Sequence, residues 1–142
     1  MVLFAKDIVE TDFLSLPASS SVLEGAKAMK NSRHGFAVIG APNQPEGIVT
    51  EWDILSKVVA EGRDPSKATL GEVMSRELLS VNADVGLSVV SQIMTEKGVR
   101  RLLVEKDGKV VGVITSKTLL ARMNEYVDKV SSQISRLQAP WF

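Results

Sequence analysis

The string GIVTEWD at residues 47–53 returns as GVITSKT at residues 112–118. Gly47 to Gly112 and Thr50 to Thr115 are both shifts of 65 residues, and the same shift runs along the chain without a gap. It lays Leu14 on Leu79, Ser15 on Ser80, Ala18 on Ala83, Met29 on Met94 and Leu55 on Leu120. Identities are few, but the apolar register persists: Ile8 and Val9 fall on Val73 and Met74, and Ala37, Val38 and Ile39 on Leu102, Leu103 and Val104. One supersecondary unit is therefore used twice, and neither copy can bury its apolar sheet face alone. The two copies are expected to pack together about a pseudo-twofold axis.

Within each unit the pattern reads strand, helix, strand, strand, helix. FLSL (13–16) and LLSV (78–81) suit short strands, and the polar runs PASSS and NADVG suit turns and helix starts. Val22, Ala26 and Met29, like Val90, Ile93 and Met94, recur at helical spacing. GFAVIG and RRLLVEK then read as strands leading by a turn into EGIVT and KVVGVIT. KDGK around Asp107 and Gly108 is a two-residue hairpin signal, whereas APNQPE reads as a longer loop. After each threonine the pattern is helical again, with Ile54, Leu55, Val58 and Val59 in one copy and Leu119, Leu120 and Met123 in the other. The fold class is α/β (α+β), two β-α-β-β-α units packed through their sheets. The division is residues 1–68 for the first unit with its N-terminal segment and linker, 69–123 for the second, and 124–142 for a helical extension and tail. In the linker, TLGEVM reads as a short helix capped by Thr69.

Composition narrows the chemistry. The 142 residues suit one domain with a substantial core. Seventeen Lys and Arg balance seventeen Asp and Glu, which gives no argument for steering onto nucleic acid or an anionic membrane. Zero Cys and a single His remove the usual zinc and iron–sulfur ligand sets and thiol nucleophiles; no metal site is expected. No apolar run approaches the roughly 20 residues of a membrane helix, and MVLFAKDIVE lacks the pattern of a secretion signal. A cytoplasmic protein is the expectation. One histidine and no P-loop leave no convincing catalytic set, so no catalytic residue is assigned.

The doubled order of elements, the Gly-apolar-x-Thr-x-x-Asp string at Gly47–Asp53, and the openings KDIVETDFLSL and GEVMSRELLSV resemble a tandem pair of cystathionine β-synthase (CBS) domains, a Bateman module. The similarity covers roughly residues 6–123. It implies a regulatory sensor that binds an adenosine-containing ligand (AMP, ADP, ATP or S-adenosylmethionine) in clefts between the units, with no obligatory cofactor and no catalysis of its own. It also implies a homodimer.

The residues at the strand-to-helix corner agree with that implication. Thr50 and Asp53 share one rim of a helix's first turn, beside exposed backbone N–H groups. A carboxylate there can accept hydrogen bonds from vicinal ribose hydroxyls, and Thr50 can offer a hydroxyl to phosphate or sugar. The same string is also how an ordinary helix begins, with Thr50 as N-cap and Glu51 and Asp53 complementing the dipole. Trp52 is a base platform or, more simply, a packing or dimer-contact residue.

In the second copy Thr118 stands where Asp53 would be and offers one hydroxyl contact without charge, so one strong site and one weak or empty site are expected. Lys117 is a phosphate contact or a solvated lysine. Arg100 and Arg101 occupy a position where related nucleotide-sensing modules, such as the γ subunit of AMP-activated kinase, carry basic residues facing phosphate. Strand alternation predicts that only one of the two enters a cleft, the other making at most a surface salt bridge. His34, at the corresponding first-unit position, is a pH sensor, a phosphate contact or an exposed polar residue. By resemblance alone, Gly35, Phe36 and Ala37 leave space for a flat base with Leu14, Ser15 and Leu16 on its other side. Ile48 and Thr115 complete the expected ligand-binding set.

Past the repeat, Leu120, Met123, Val127, Val130, Ile134 and Leu137 follow spacings of 3, 4, 3, 4 and 3, a heptad seam. It either pairs with a twin chain or folds back on its own core. QAPWF ends the helix at Pro140, leaving Trp141 and Phe142 to dock or move. An interaction or scaffold protein with vacant clefts, acting through its homodimer on an unidentified protein target, is the alternative function. A small nucleotide-processing enzyme is a further one.

Overall fold

Two antiparallel hairpins form the centre of the molecule in the computed structural model, which describes residues 3–138 and side chains as far as residue 136. The first joins β2 (Phe36–Ala41) to β3 (Gln44–Thr50), and the second joins β5 (Arg101–Lys106) to β6 (Lys109–Thr115). Each gains a parallel strand on the far side of its first member, β1 (Ser15–Leu16) beside β2 and β4 (Ser80–Asn82) beside β5. The result is two three-stranded sheets of identical order, β1-β2-β3 and β4-β5-β6. Even the bulge recurs, between Ile39 and Gly40 in one and Val104 and Glu105 in the other, positions 65 residues apart.

The hairpin turns differ as their residues dictate. Asp107 and Gly108 both take positive φ, 53° and 75°, as the KDGK signal predicts. The expected long loop at APNQPE is instead a two-residue turn at Pro42–Asn43, with Ala41 opposite Gln44. Pro45 lies within β3, where it is tolerated because β3 is an edge strand. The outer strands are shorter than the apolar runs suggest. Phe13, Leu14, Leu78 and Leu79 precede them, and Phe13 and Leu78 pack between the two sheets.

Helices flank each sheet. Helix α2 (Val22–Ser32) begins at Ser21, whose Oγ accepts from the Glu24 N–H at 3.1 Å, and α5 (Leu87–Lys97) is its counterpart. Both end in a left-handed residue, Arg33 at φ 58° and Gly98 at φ 64°. Glycine takes that conformation freely; arginine holds it at a cost of about 1 kcal/mol. After β3 comes α3 (Glu51–Ile54), which widens into π-helical turns at Leu55–Val59. After β6 comes α6 (Ser116–Gln138).

The short helices that open the two halves are exchanged between them. Helix α1 (Ala5–Ile8) inserts Ala5 and Ile8 into the second half's core, beside Val81, Val90, Leu102 and Ile114. Backbone bonds fasten it there, from the Ala5 N–H to the Val85 carbonyl at 2.8 Å and from the Lys6 N–H to the Ala83 carbonyl at 2.9 Å. Helix α4 (Leu70–Val73) inserts Leu70 and Val73, and the residue after it, Met74, into the first half's core with Val22, Ile39, Val49 and Val58. Its cap is the expected one, with Thr69 Oγ1 accepting from the Glu72 N–H at 3.3 Å. Leu70 is fully buried, a contribution of roughly 1.5–3 kcal/mol.

Between the sheets lies a third cluster made of pairs equivalent under the repeat: Phe13 with Leu78, Val38 with Leu103, and Ile48 with Val113. These residues mark the pseudo-twofold axis. Phe36 and Arg101 are also equivalent positions, and they meet at the axis, with the guanidinium 5.1 Å from the ring centroid.

Candidate functional site

The two strand-to-helix corners are equivalent under the 65-residue shift. At the first, Thr50 caps α3: its Oγ1 accepts from the Asp53 N–H at 3.3 Å. Asp53 Oδ2 in turn accepts from the Thr50 N–H at 2.8 Å and from the Thr50 hydroxyl at 3.1 Å, completing a capping box. The other carboxylate oxygen pairs with Lys57 Nζ at 3.0 Å, and Lys57 also donates to the Val73 carbonyl at 2.8 Å. The Asp53 side chain is only 12% exposed, so the helix-start reading of GIVTEWD is realised in full.

The second corner repeats the cap without the acid. Thr115 Oγ1 accepts from the Thr118 N–H at 3.2 Å and bonds the Thr118 hydroxyl at 3.1 Å. The Thr118 hydroxyl donates to Glu10, a residue from the exchanged opening segment that the motif gave no reason to single out. In both halves the first helical N–H is taken by the carbonyl ahead of the middle strand, Glu51 to Gly35 at 3.0 Å and Ser116 to Arg100 at 2.9 Å.

Each corner borders a cleft. The first, about 390 Å³, is lined by Ile48, Thr50, Trp52, Ser75, Glu77 and the residues around Arg100 and Arg101. The second, about 530 Å³, is lined by Thr115, Lys117 and Thr118, by Glu10, by Arg33 to Phe36, and by Arg100, Arg101 and Arg122. Both volumes suit a small-molecule ligand. A groove of about 630 Å³ between Leu3, α5 and α6 has no cation in its wall and does not suit an anion.

Arg101 belongs to both clefts. Besides stacking on Phe36 it lies 3.7 Å from Glu51 Oε1. Burial pushes its pKa down, the neighbouring Arg100 cation adds to this, and Glu51 opposes both. The expectation that only one of the two arginines enters a cleft is corrected: both line both clefts. Strand β5 begins at Arg101, so Arg100 sits in the preceding bend, where strand alternation does not operate.

The other expected residues are dispersed. Ile48 and Thr50 line the first cleft; Gly35, Phe36, Thr115 and Thr118 line the second. Gly35 borders the second cleft, and a Cβ there would meet the side-chain ends of Glu51 and Arg101. Ala37 is fully buried in the first half's core, with Leu14 and Leu16 packed against that core. Ser15 Oγ donates to the Gly40 carbonyl at 2.7 Å. None of Ser15, Leu16, Ala37 and Asp53 lines either cleft. His34 lines the second, its ring edge-on to Phe36 at 6.1 Å. Among the described residues no three His, Asp or Glu side chains group as metal ligands, and no helix is long and apolar enough to cross a membrane.

Two repeated units with exchanged opening helices and clefts on a pseudo-twofold axis define a tandem-domain architecture, and comparison with known proteins gives its family. The CBS domain profile matches twice, at residues 5–60 and 70–125, and the chain belongs to the CBS domain family. It is 30% identical over 109 residues to the CBS domain-containing protein YhcV of Bacillus subtilis, covering 77% of each chain. An uncharacterised Methanopyrus kandleri protein is 27% identical over 134 residues, covering 93% of this chain and 68% of that one. Among solved structures, the CBS domain pair of protein MJ0100, in complex with 5′-methylthioadenosine and S-adenosylmethionine, superposes with a TM-score of 0.78 at 24% identity, covering 89% of this chain and 99% of that one.

Proposed function

We propose that this chain is a sensor that binds an adenosine-containing ligand between its two halves and acts through the resulting change in its own surface, without catalysis. The observation that carries this reading is the pair of clefts, each headed by a capping threonine and each bordered by Arg100 and Arg101. Planar guanidinium groups at a half-closed cleft suit phosphate or another anionic group, and a buried one interacts more strongly than one in water. The complex of the similar MJ0100 pair with two adenosine compounds supports the ligand class.

The same reading includes a homodimer. The helices that follow the two threonines are equivalent, and both leave large apolar side chains uncovered: Trp52, Leu55 and Val59 on one, Leu120, Met123 and Val127 on the other. A related solved structure, a CBS-CP12 protein of bloom-forming cyanobacteria at 29% identity and TM-score 0.74, covering 84% of this chain and 70% of that one, is described as hexameric.

A thermal-shift panel of AMP, ADP, ATP, S-adenosylmethionine and GMP tests the ligand class. A compound that binds only the native state stabilises it by about 2.7 kcal/mol at a hundred times its Kd, so at least one adenosine compound should raise Tm by several degrees and GMP should not. If no adenosine compound raises Tm, the reading fails. If Asp53→Asn, which keeps a capping side chain, responds like the wild type, Asp53 is a cap alone.

A further inference from the structure

Glu10 and Ser75 are equivalent under the 65-residue shift, and the fold treats them alike. Glu10 donates its N–H to the Val113 carbonyl at 2.8 Å, and its own carbonyl accepts from the Val113 N–H at 2.9 Å; Ser75 exchanges the same pair of bonds with Ile48, at 2.9 and 3.0 Å. Each therefore crosses the strand that leads into a threonine corner, and each lines the cleft at that corner. The chemistry is exchanged between the two. In the first half the helix carries the acid, Asp53, and the crossing segment carries the hydroxyl, Ser75. In the second half the helix carries the hydroxyl, Thr118, and the crossing segment carries the acid, Glu10, with the two in contact.

The two acids are not equally engaged. Asp53 has one oxygen on Thr50 and the other on Lys57. Glu10 Oε1 takes the Thr118 hydroxyl, and among the described residues its carboxylate makes no salt bridge. Its cleft also holds Arg33 and Lys117 in addition to Arg100 and Arg101, while the first cleft sets Glu77 against those two arginines. An acid with an oxygen to spare, facing a cluster of cations across about 530 Å³, matches a ligand with a vicinal diol at one end and phosphate at the other.

We propose that Glu10 is the ribose-binding carboxylate of the second cleft, and that this cleft, though its helix lacks the aspartate, is a ribonucleoside-phosphate site. Glu10 accepts from the 2′- and 3′-hydroxyls, and Arg33, Arg100 and Lys117 hold the phosphate. This deepens the proposed function and rests on it.

Calorimetric titration of the whole chain with AMP, ATP and 2′-deoxy-AMP tests the assignment. Wild type should bind AMP or ATP at the second cleft, and Glu10→Gln should weaken that site roughly ten- to a hundredfold, the range for hydrogen bonds to a charged group. Glutamine preserves an acceptor for Thr118, so Tm without ligand should not move. Glu10→Asp should recover part of the affinity, and 2′-deoxy-AMP should bind the wild type as weakly as AMP binds Glu10→Gln. If wild type binds and Glu10→Gln matches it in stoichiometry and affinity, the Glu10 assignment is overturned while the adenosine reading stands. If wild type binds neither nucleotide, the Glu10 assignment is overturned, while the adenosine reading is decided by the thermal-shift panel.

Discussion

The glycine that opens both repeated strings is a packing requirement rather than a ligand contact. A Cβ on Gly112 would lie 2.5 Å from the Glu10 carbonyl oxygen and against the Val9 side chain; one on Gly47 would lie 2.6 Å from Met74 Sδ and 2.8 Å from the Ser75 carbonyl oxygen. At both sites the exchanged segment crosses so closely that only hydrogen fits. Gly112→Ala should therefore cost about 1–3 kcal/mol of stability, the usual range for overpacking, read as a lower urea midpoint. An unchanged midpoint would mean that the crossing segment yields freely. Some of this chemistry was legible in the sequence and some was not, for one physical reason. The Thr50 and Asp53 cap was readable because a capping box closes within four residues. Glu10 was not, because its partner Thr118 is 108 residues away. The one available signal was the shift itself, which places Glu10 on Ser75 and so beside the other threonine corner.

At the scale of elements, the repeat predicted the order of strands and helices, and the differences arise where an element's surroundings decide its shape. The helix after Thr50 carries Ile54, Leu55, Val58 and Val59 at helical spacing. Val58 is buried, while Leu55 is 50% and Val59 64% exposed, on turns that have widened to π geometry. Helix α6 runs for 23 residues, about 34 Å, and from Ala121 onward its side chains are largely solvent-facing. The fold-back alternative is thus not adopted by residues 121–136. The seam's last member, Leu137, and the tail's Pro140, Trp141 and Phe142 lie outside the residues whose side chains are described. The positions flanking the seam, Asn124, Tyr126, Ser131 and Gln133, carry no charge, so a second copy of the helix meets no like-charge repulsion there. If α6 pairs in the proposed homodimer, Val127→Asp with Ile134→Asp should shift sedimentation from dimer to monomer and leave the unfolding of the core unchanged. A dimer that survives both substitutions would remove the α6 seam from the interface.

For the molecule as a whole, the exchange of opening helices is what makes two repeats into one structure. Each half completes its core with the other's lead-in segment, and the sheets meet through residue pairs related by the shift. The division of the sequence into 1–68 and 69–123 consequently differs from the division in space, where α1 packs with the second half and α4 with the first. The same exchange carries Glu10 and Ser75 to the clefts, so the feature that builds the core also furnishes the site. A chain of zero net charge has in this way gathered Arg33, Arg100, Arg101, Lys117 and Arg122 around one cleft. The central claim, binding without consumption, is tested most directly by equilibrium dialysis of the protein against AMP, ADP, ATP and S-adenosylmethionine, with chromatography of the compound recovered from the protein compartment. The account predicts saturable retention of at least one of them, weakened by added salt and returned chemically unchanged. No retention of any of the four, or recovery of a hydrolysed product in step with time and protein concentration, would contradict it.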